Sequence, residues 1–88
     1  MMIEGKTKSG FKYKFPKENL DNYELVEIIA EAQENPLLFP KMVNLLLGKE
    51  QTEKLKEHLR NKNGIVSTEK MSQEIMDIFE NHKDLKNS

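Results

Sequence analysis

The chain has 88 residues, of which 36% are hydrophobic and 33% are charged, with a formal net charge of −1. A chain of this length forms one domain with a modest core and has little apolar surface to spare for a deep substrate pocket. The lack of cysteine excludes a disulfide, a thiol nucleophile and a thiolate metal site. No apolar run approaches the roughly 18 residues that would span a bilayer. Met1 to Gly10 also lacks the apolar core of a signal peptide. We therefore expect a single cytoplasmic domain over residues 1–88.

The N-terminal segment predicts a β-hairpin over about residues 2–15. Phe11-Lys-Tyr-Lys-Phe15 alternates aromatic and lysine side chains with the period of two that is typical of a half-buried strand. Ser9-Gly10 supplies a turn, Met2 to Thr7 is the partner strand, and Pro16 ends the second strand. Because an isolated hairpin is only marginally stable in water, we expect its aromatic face to pack against helices.

Two helices are predicted next, at about residues 22–34 and 40–47. Asp21 to Glu24 has the form of a capping box with an aspartate as the N-cap, and the acidic residues that follow share the outer face of the first helix. The second helix begins with Pro40, ends at Gly48 and is apolar nearly all round, which is typical of a central buried helix.

Two further helices are predicted, at about residues 49–62 and 68–83. The first of these carries only Leu55 and Leu59 as large apolar residues, which indicates a surface helix that Asn63-Gly64 ends. Ser67 is a suitable N-cap for the last helix, and residues 84–88 are expected to fray. The apolar stripe of the last helix consists of Met71, Ile75, Ile78 and Phe79, and His82 is a candidate extension of it. The fold class is therefore α+β, an N-terminal β-hairpin packed on about four short α-helices.

No pattern of a catalytic, cofactor or metal site is found in the sequence. His58 and His82 lie on different predicted helices without metal-ligand spacing, so we interpret both as surface residues. The serines, Ser9 among them, have no nucleophile-elbow context and no base placed beside them. We therefore predict a non-enzymatic protein that needs no cofactor and no metal.

Charge is distributed in blocks along the chain. Residues 1–17 carry five lysines against one acid, and residues 18–36 carry six acids and no base. Blocks of this kind affect how a domain associates, so contact between copies of the chain is one hypothesis. The candidate self-association residues are Lys12 and Lys14 of the hairpin and Glu24, Glu27 and Glu31 of the first helix.

The lysine-rich hairpin also raises the alternative of a small nucleic-acid-binding or regulatory module. Strand alternation separates Lys12 and Lys14 from the aromatic rings, and Arg60 is the only arginine, which is unfavourable for base or phosphate recognition. A solvated strand face that protects the sheet edge is the favoured interpretation, so nucleic acid is not the expected partner.

A second candidate surface is the apolar cluster before the second helix. Such clusters are usually core, and the alternative is a patch that binds a partner. Methionines are adaptable packing residues that occur in both settings. The candidate partner-binding residues are Leu37, Leu38, Phe39, Met42 and Met76.

The order of these elements resembles the small tail assembly chaperones of long-tailed phages and prophages of Gram-positive bacteria. The resemblance covers about residues 3–80 and lies in packing and capping signals, in the segments Leu20-Asp-Asn-Tyr-Glu-Leu-Val-Glu-Ile-Ile-Ala-Glu31, Leu45-Leu-Leu-Gly-Lys-Glu-Gln51 and Asn63-Gly-Ile-Val-Ser67. Such proteins coat the tape measure protein and keep it soluble until the tail tube forms, and they are absent from the finished virion. The resemblance thus implies the tape measure protein as partner and the major tail protein as a further candidate. A chaperone of this kind needs an apolar groove, which we expect to be formed by Leu37, Leu38 and Phe39 with Met42 or Met76.

Overall fold

A computed structural model describes residues 1–82, which fold into a two-stranded sheet and four α-helices. The strands are β1 (Met2–Lys6) and β2 (Lys12–Pro16), and the helices are α1 (Tyr23–Glu34), α2 (Phe39–Leu47), α3 (Lys49–Leu59) and α4 (Thr68–Asn81). Short 3-10 turns, Lys17–Asn19 and Pro36–Leu38, precede α1 and α2. The predicted α+β class, with a hairpin packed on four helices, is confirmed. The predicted last residue of the fourth helix, Lys83, and the expected frayed end lie outside the described residues.

The hairpin is antiparallel, with Ile3 opposite Phe15 and Gly5 opposite Tyr13. The backbone N–H of Thr7 donates to the carbonyl of Phe11 and closes the turn. Phe11, Tyr13 and Phe15 are between 0% and 6% exposed, whereas the intervening lysines are exposed. The predicted separation of lysines from aromatic rings is therefore confirmed, and the aromatic face is part of the core.

Helix α2 lies at the centre of the molecule, where it packs against α1, α3 and β2. Its side chains Met42, Val43, Leu46 and Leu47 are buried, as a central apolar helix requires. Gly48 has φ +83° and ends α2, and its carbonyl accepts hydrogen bonds from both the backbone N–H and the hydroxyl of Thr52 in α3. One residue therefore joins α2 directly to α3.

The N-cap of α1 is Asn22, so the prediction of Asp21 as N-cap is wrong. Asn22 Oδ1 accepts the N–H of Glu24 at 2.9 Å, and Asn22 has an extended backbone. The N–H of Asp21 donates to the carbonyl of Glu18, which makes Asp21 a continuation of the preceding turn. Asparagine and aspartate are equally good N-cap residues, so residue type does not decide between Asp21 and Asn22. The path of the preceding turn decides which of the two caps the helix.

Helix α3 ends at Leu59, three residues before its predicted end. Arg60 is extended and forms an isolated antiparallel bridge with Val66. The side chain of Asn61 accepts the N–H groups of Asn63 and Ile65 at 2.8 and 3.1 Å. A side chain that bonds the local backbone offers an alternative to the helical ladder, which explains the early end.

Candidate partner-binding groove

An open groove of about 570 Å³ lies between the beginning of α2, the middle of α3 and the beginning of α4. At its rim the Nζ of Lys56 lies 3.0 Å from an Oε atom of Glu53, both on α3. The apolar part of its lining includes Leu37, Phe39, Pro40, Val43, Val66 and Met71. The groove is therefore a largely apolar surface depression with one ion pair at its edge.

Two caps determine the walls of the groove. Asn35 Oδ1 accepts the N–H of Leu37 at 3.3 Å and thereby caps the 3-10 turn Pro36–Leu38. This turn packs against α1. This turn leaves Leu37 86% exposed at the mouth of the groove. On the other side, Ser67 Oγ accepts the N–H of Lys70 and begins α4, so the predicted N-cap is confirmed.

The five predicted partner-binding residues do not lie on one surface. Leu37 and Phe39 line the groove, and Leu38 is half-buried against the core. Met42 is 7% exposed and belongs to the core, because it lies on the inner side of α2. Met76 is 70% exposed but lies beside Lys8 on another surface, so neither methionine lines the groove.

A polar cluster joins the hairpin turn to α3 and α4, and the sequence did not predict it. Glu74 on α4 is 4% exposed, and its Oε1 accepts the hydroxyls of Thr7 at 2.7 Å and Ser9 at 2.9 Å. Ser9 Oγ also lies 3.0 Å from Nε2 of His58 on α3. The prediction that no base lies beside Ser9 is therefore wrong. The carboxylate contacts the serine rather than the histidine, so it does not orient the imidazole as in a Ser-His-acid triad.

The second histidine is also more than a surface residue. His82 Nε2 lies 2.7 Å from the hydroxyl of Tyr13, and its ring packs edge-on against the rings of Tyr13 and Phe15. Burial lowers the pKa of His82 below its ordinary value. The interpretation of His82 as a simple surface residue is wrong, because the end of α4 passes over the aromatic face of the hairpin.

The residues predicted for self-association are all exposed. Lys12 and Lys14 lie on the outward face of the hairpin, and Glu24, Glu27 and Glu31 lie on α1. Within residues 1–82 none of the five forms an ion pair within 4.0 Å. The hairpin packs on α2, α3 and α4, whereas α1 packs mainly on α2 and on the 3-10 turn Pro36–Leu38 that precedes α2. Self-association through these residues stays a prediction.

The fold and the groove define a small α+β domain with a wide apolar depression on its surface. No protein-family model, no curated protein and no solved structure matches the chain. Among residues 1–82, no helix is long and apolar enough to cross a membrane, and no three His, Asp or Glu side chains converge as a metal site would need.

Proposed function

We propose that this protein is a tail assembly chaperone of long-tailed phages or prophages of Gram-positive bacteria. It binds the tape measure protein without enzymatic activity, acts in the cytoplasm of the host and is not retained in the virion. The observation that carries the proposal is the open apolar groove with Leu37, at 86% exposure, at its mouth. The resemblance of the sequence supplies the identity of the partner, and the major tail protein is the second candidate.

The groove suits the partner for a physical reason. A tape measure protein is a long amphipathic helical chain, whose apolar side aggregates when it is exposed to water. Binding of the apolar face of an amphipathic helix in a hydrophobic groove is a common mode of recognition, in which the anchoring side chains are three or four residues apart. Transfer of an exposed leucine such as Leu37 from water to a packed interface contributes about 1.5–3 kcal/mol. The ion pair of Lys56 and Glu53 at the rim then faces solvent beside the bound helix.

Co-expression with a tape measure protein tests the proposal. The wild-type chain is expected to convert an insoluble tape measure protein into a soluble complex that co-purifies. Leu37→Asp is expected to abolish this effect, because it places a charge at the mouth of the groove. Met76→Asp is the matched control, since Met76 is similarly exposed but lies outside the groove.

Circular dichroism would first establish that both variants are folded. A tape measure protein that stays insoluble with the wild-type chain would contradict the proposed function. Equal solubilisation by the Leu37→Asp and Met76→Asp variants would contradict the assignment to the groove.

A further inference from the structure

The exposed surface of α1 is divided lengthwise into two halves. Residues three and four apart lie on the same side of a helix. One half is acidic and consists of Glu24, Glu27, Glu31 and Glu34. The other half is uncharged and consists of Tyr23, Val26, Ala30 and Gln33, all exposed. Both halves are separate from the buried face, where Leu25 and Ile28 pack into the core.

The uncharged half has the pattern of a helix that packs against another helix. Tyr23 is 73% exposed and Val26 is 49% exposed, and Ala30 follows them at helical spacing. None of the three lines the groove. Single exposed apolar residues are ordinary, but a row that follows the helical repeat presents a ridge that a second helix can cover.

The acidic half indicates the charge of the partner. Helix α1 contains no lysine, arginine or histidine, and none of its four carboxylates has an ion pair within 4.0 Å in the described part of the chain. We propose that the outer surface of α1 is a second protein-binding surface. Its occupant is an amphipathic helix of another protein, with lysine or arginine along one edge of its apolar stripe.

A second copy of this chain fits the surface less well. In a second copy, the outward face of the hairpin is the surface that carries lysines. This face is charged across both strands, with Glu4 opposite Lys14 and Lys6 opposite Lys12. Charged groups of the hairpin would therefore meet the uncharged half of α1. Two α1 helices packed on each other would bring carboxylates together. A basic amphipathic helix matches both halves at once. This inference holds independently of the proposed function, because the surface does not include the groove.

A labelled synthetic helix tests the inference on the intact chain. The probe is a peptide of about 15 residues, long enough to cover α1 at about 1.5 Å per residue. It contains leucines at helical spacing, flanked by lysines. The control peptide has glutamate at every lysine position. Fluorescence anisotropy is expected to show that the lysine peptide binds and the glutamate peptide does not. This binding should weaken when the salt concentration is raised from about 0.05 M to about 0.5 M.

Paired variants locate the site of binding. The Tyr23→Ser/Val26→Ser variant is expected to weaken binding of the lysine peptide about tenfold, as loss of two apolar contacts implies. The Glu27→Gln/Glu31→Gln variant is expected to weaken it and to reduce the salt dependence. Leu37→Asp serves as the control, because its side chain lies at the groove and not on α1.

Three results would overturn the inference. Binding that is unchanged in Tyr23→Ser/Val26→Ser would remove α1 from the contact. Binding that is lost only in Leu37→Asp would place the peptide in the groove instead. Oligomers of the protein alone that dissociate in Tyr23→Ser/Val26→Ser would identify a second copy as the occupant.

Discussion

The hydroxyl of Tyr13 lies 2.7 Å from Nε2 of His82, which joins the second strand of the sheet to the end of the last helix. Asn81 Nδ2 donates to the same hydroxyl at 3.2 Å. Tyr13 thus contacts two consecutive side chains at the end of α4, which are 68 and 69 residues further along the sequence. This contact gives a direct test of how the hairpin is attached.

Removal of the Tyr13 hydroxyl is expected to destabilise the protein. Tyr13→Phe keeps the ring in the core but removes the partner of His82, which should lower the free energy of unfolding by about 1 kcal/mol. Tyr23→Phe is the matched control, because Tyr23 is 73% exposed, and it should leave stability unchanged. Urea unfolding of both variants makes the comparison, and equal losses would contradict the assigned role.

Stability is expected to decrease as pH falls through the titration range of His82. Burial lowers the pKa of His82 in the folded state, so the unfolded chain, with an ordinary pKa of about 6.5, binds the proton first. The contribution of His82 is therefore fully present above about pH 6.5 and is lost as pH falls from there toward the folded pKa. Urea midpoints measured between about pH 5 and pH 8 should decline less in His82→Gln than in the wild type. Parallel curves for the two proteins would contradict the prediction.

The buried carboxylate of Glu74 is expected to stabilise the hairpin turn. Glu74→Ala removes the carboxylate that accepts the hydroxyls of Thr7 and Ser9, which should cost about 1–3 kcal/mol. Glu74→Gln retains an oxygen that can accept these bonds and should cost less. Glu69→Ala, at an exposed position in the first turn of α4, is the control and should be close to neutral. Thermal unfolding measures all three, and a neutral Glu74→Ala would show that the cluster is unimportant.

The two leucines of α3 are expected to differ in their effect on stability. Leu55 is 0% exposed, so Leu55→Ala should cost about 2–5 kcal/mol through lost burial and a cavity. Leu59 is only partly buried against the core, so Leu59→Ala should cost roughly 1 kcal/mol. Equal effects in chemical denaturation would indicate that α3 packs differently.

The sequence predicted the parts of this fold that depend on local periodicity. The alternation of Phe11, Tyr13 and Phe15 was sufficient for the hairpin, because each ring is buried and each intervening lysine is exposed. The boundary of α3 was not predictable in the same way. It depends on the side chain of Asn61, which competes with the helix by bonding two backbone groups in the following loop.

The candidate site was predicted only in part. Leu37 and Phe39 do line the groove, but the burial of Met42 and the separate position of Met76 depend on how the helices pack. The buried Glu74 did leave a signal, since it lies three residues after Met71 and four before Ile78, on the apolar stripe of α4. A carboxylate at such a position requires partners, and these come from the hairpin turn.

The junction at Gly48 has a consequence for how the groove opens. Gly48 alone joins α2 to α3, so no flexible linker separates these two walls, and the two helices also pack against each other. We therefore expect most of the adjustment to an incoming helix at the 3-10 turn that bears Leu37 and at the first turn of α4. The walls of the groove formed by α2 and α3 are thus preorganised for binding. The entropy lost on binding is then concentrated in the 3-10 turn and the first turn of α4, and changes that stiffen these two segments should alter the association rate more than the shape of the complex.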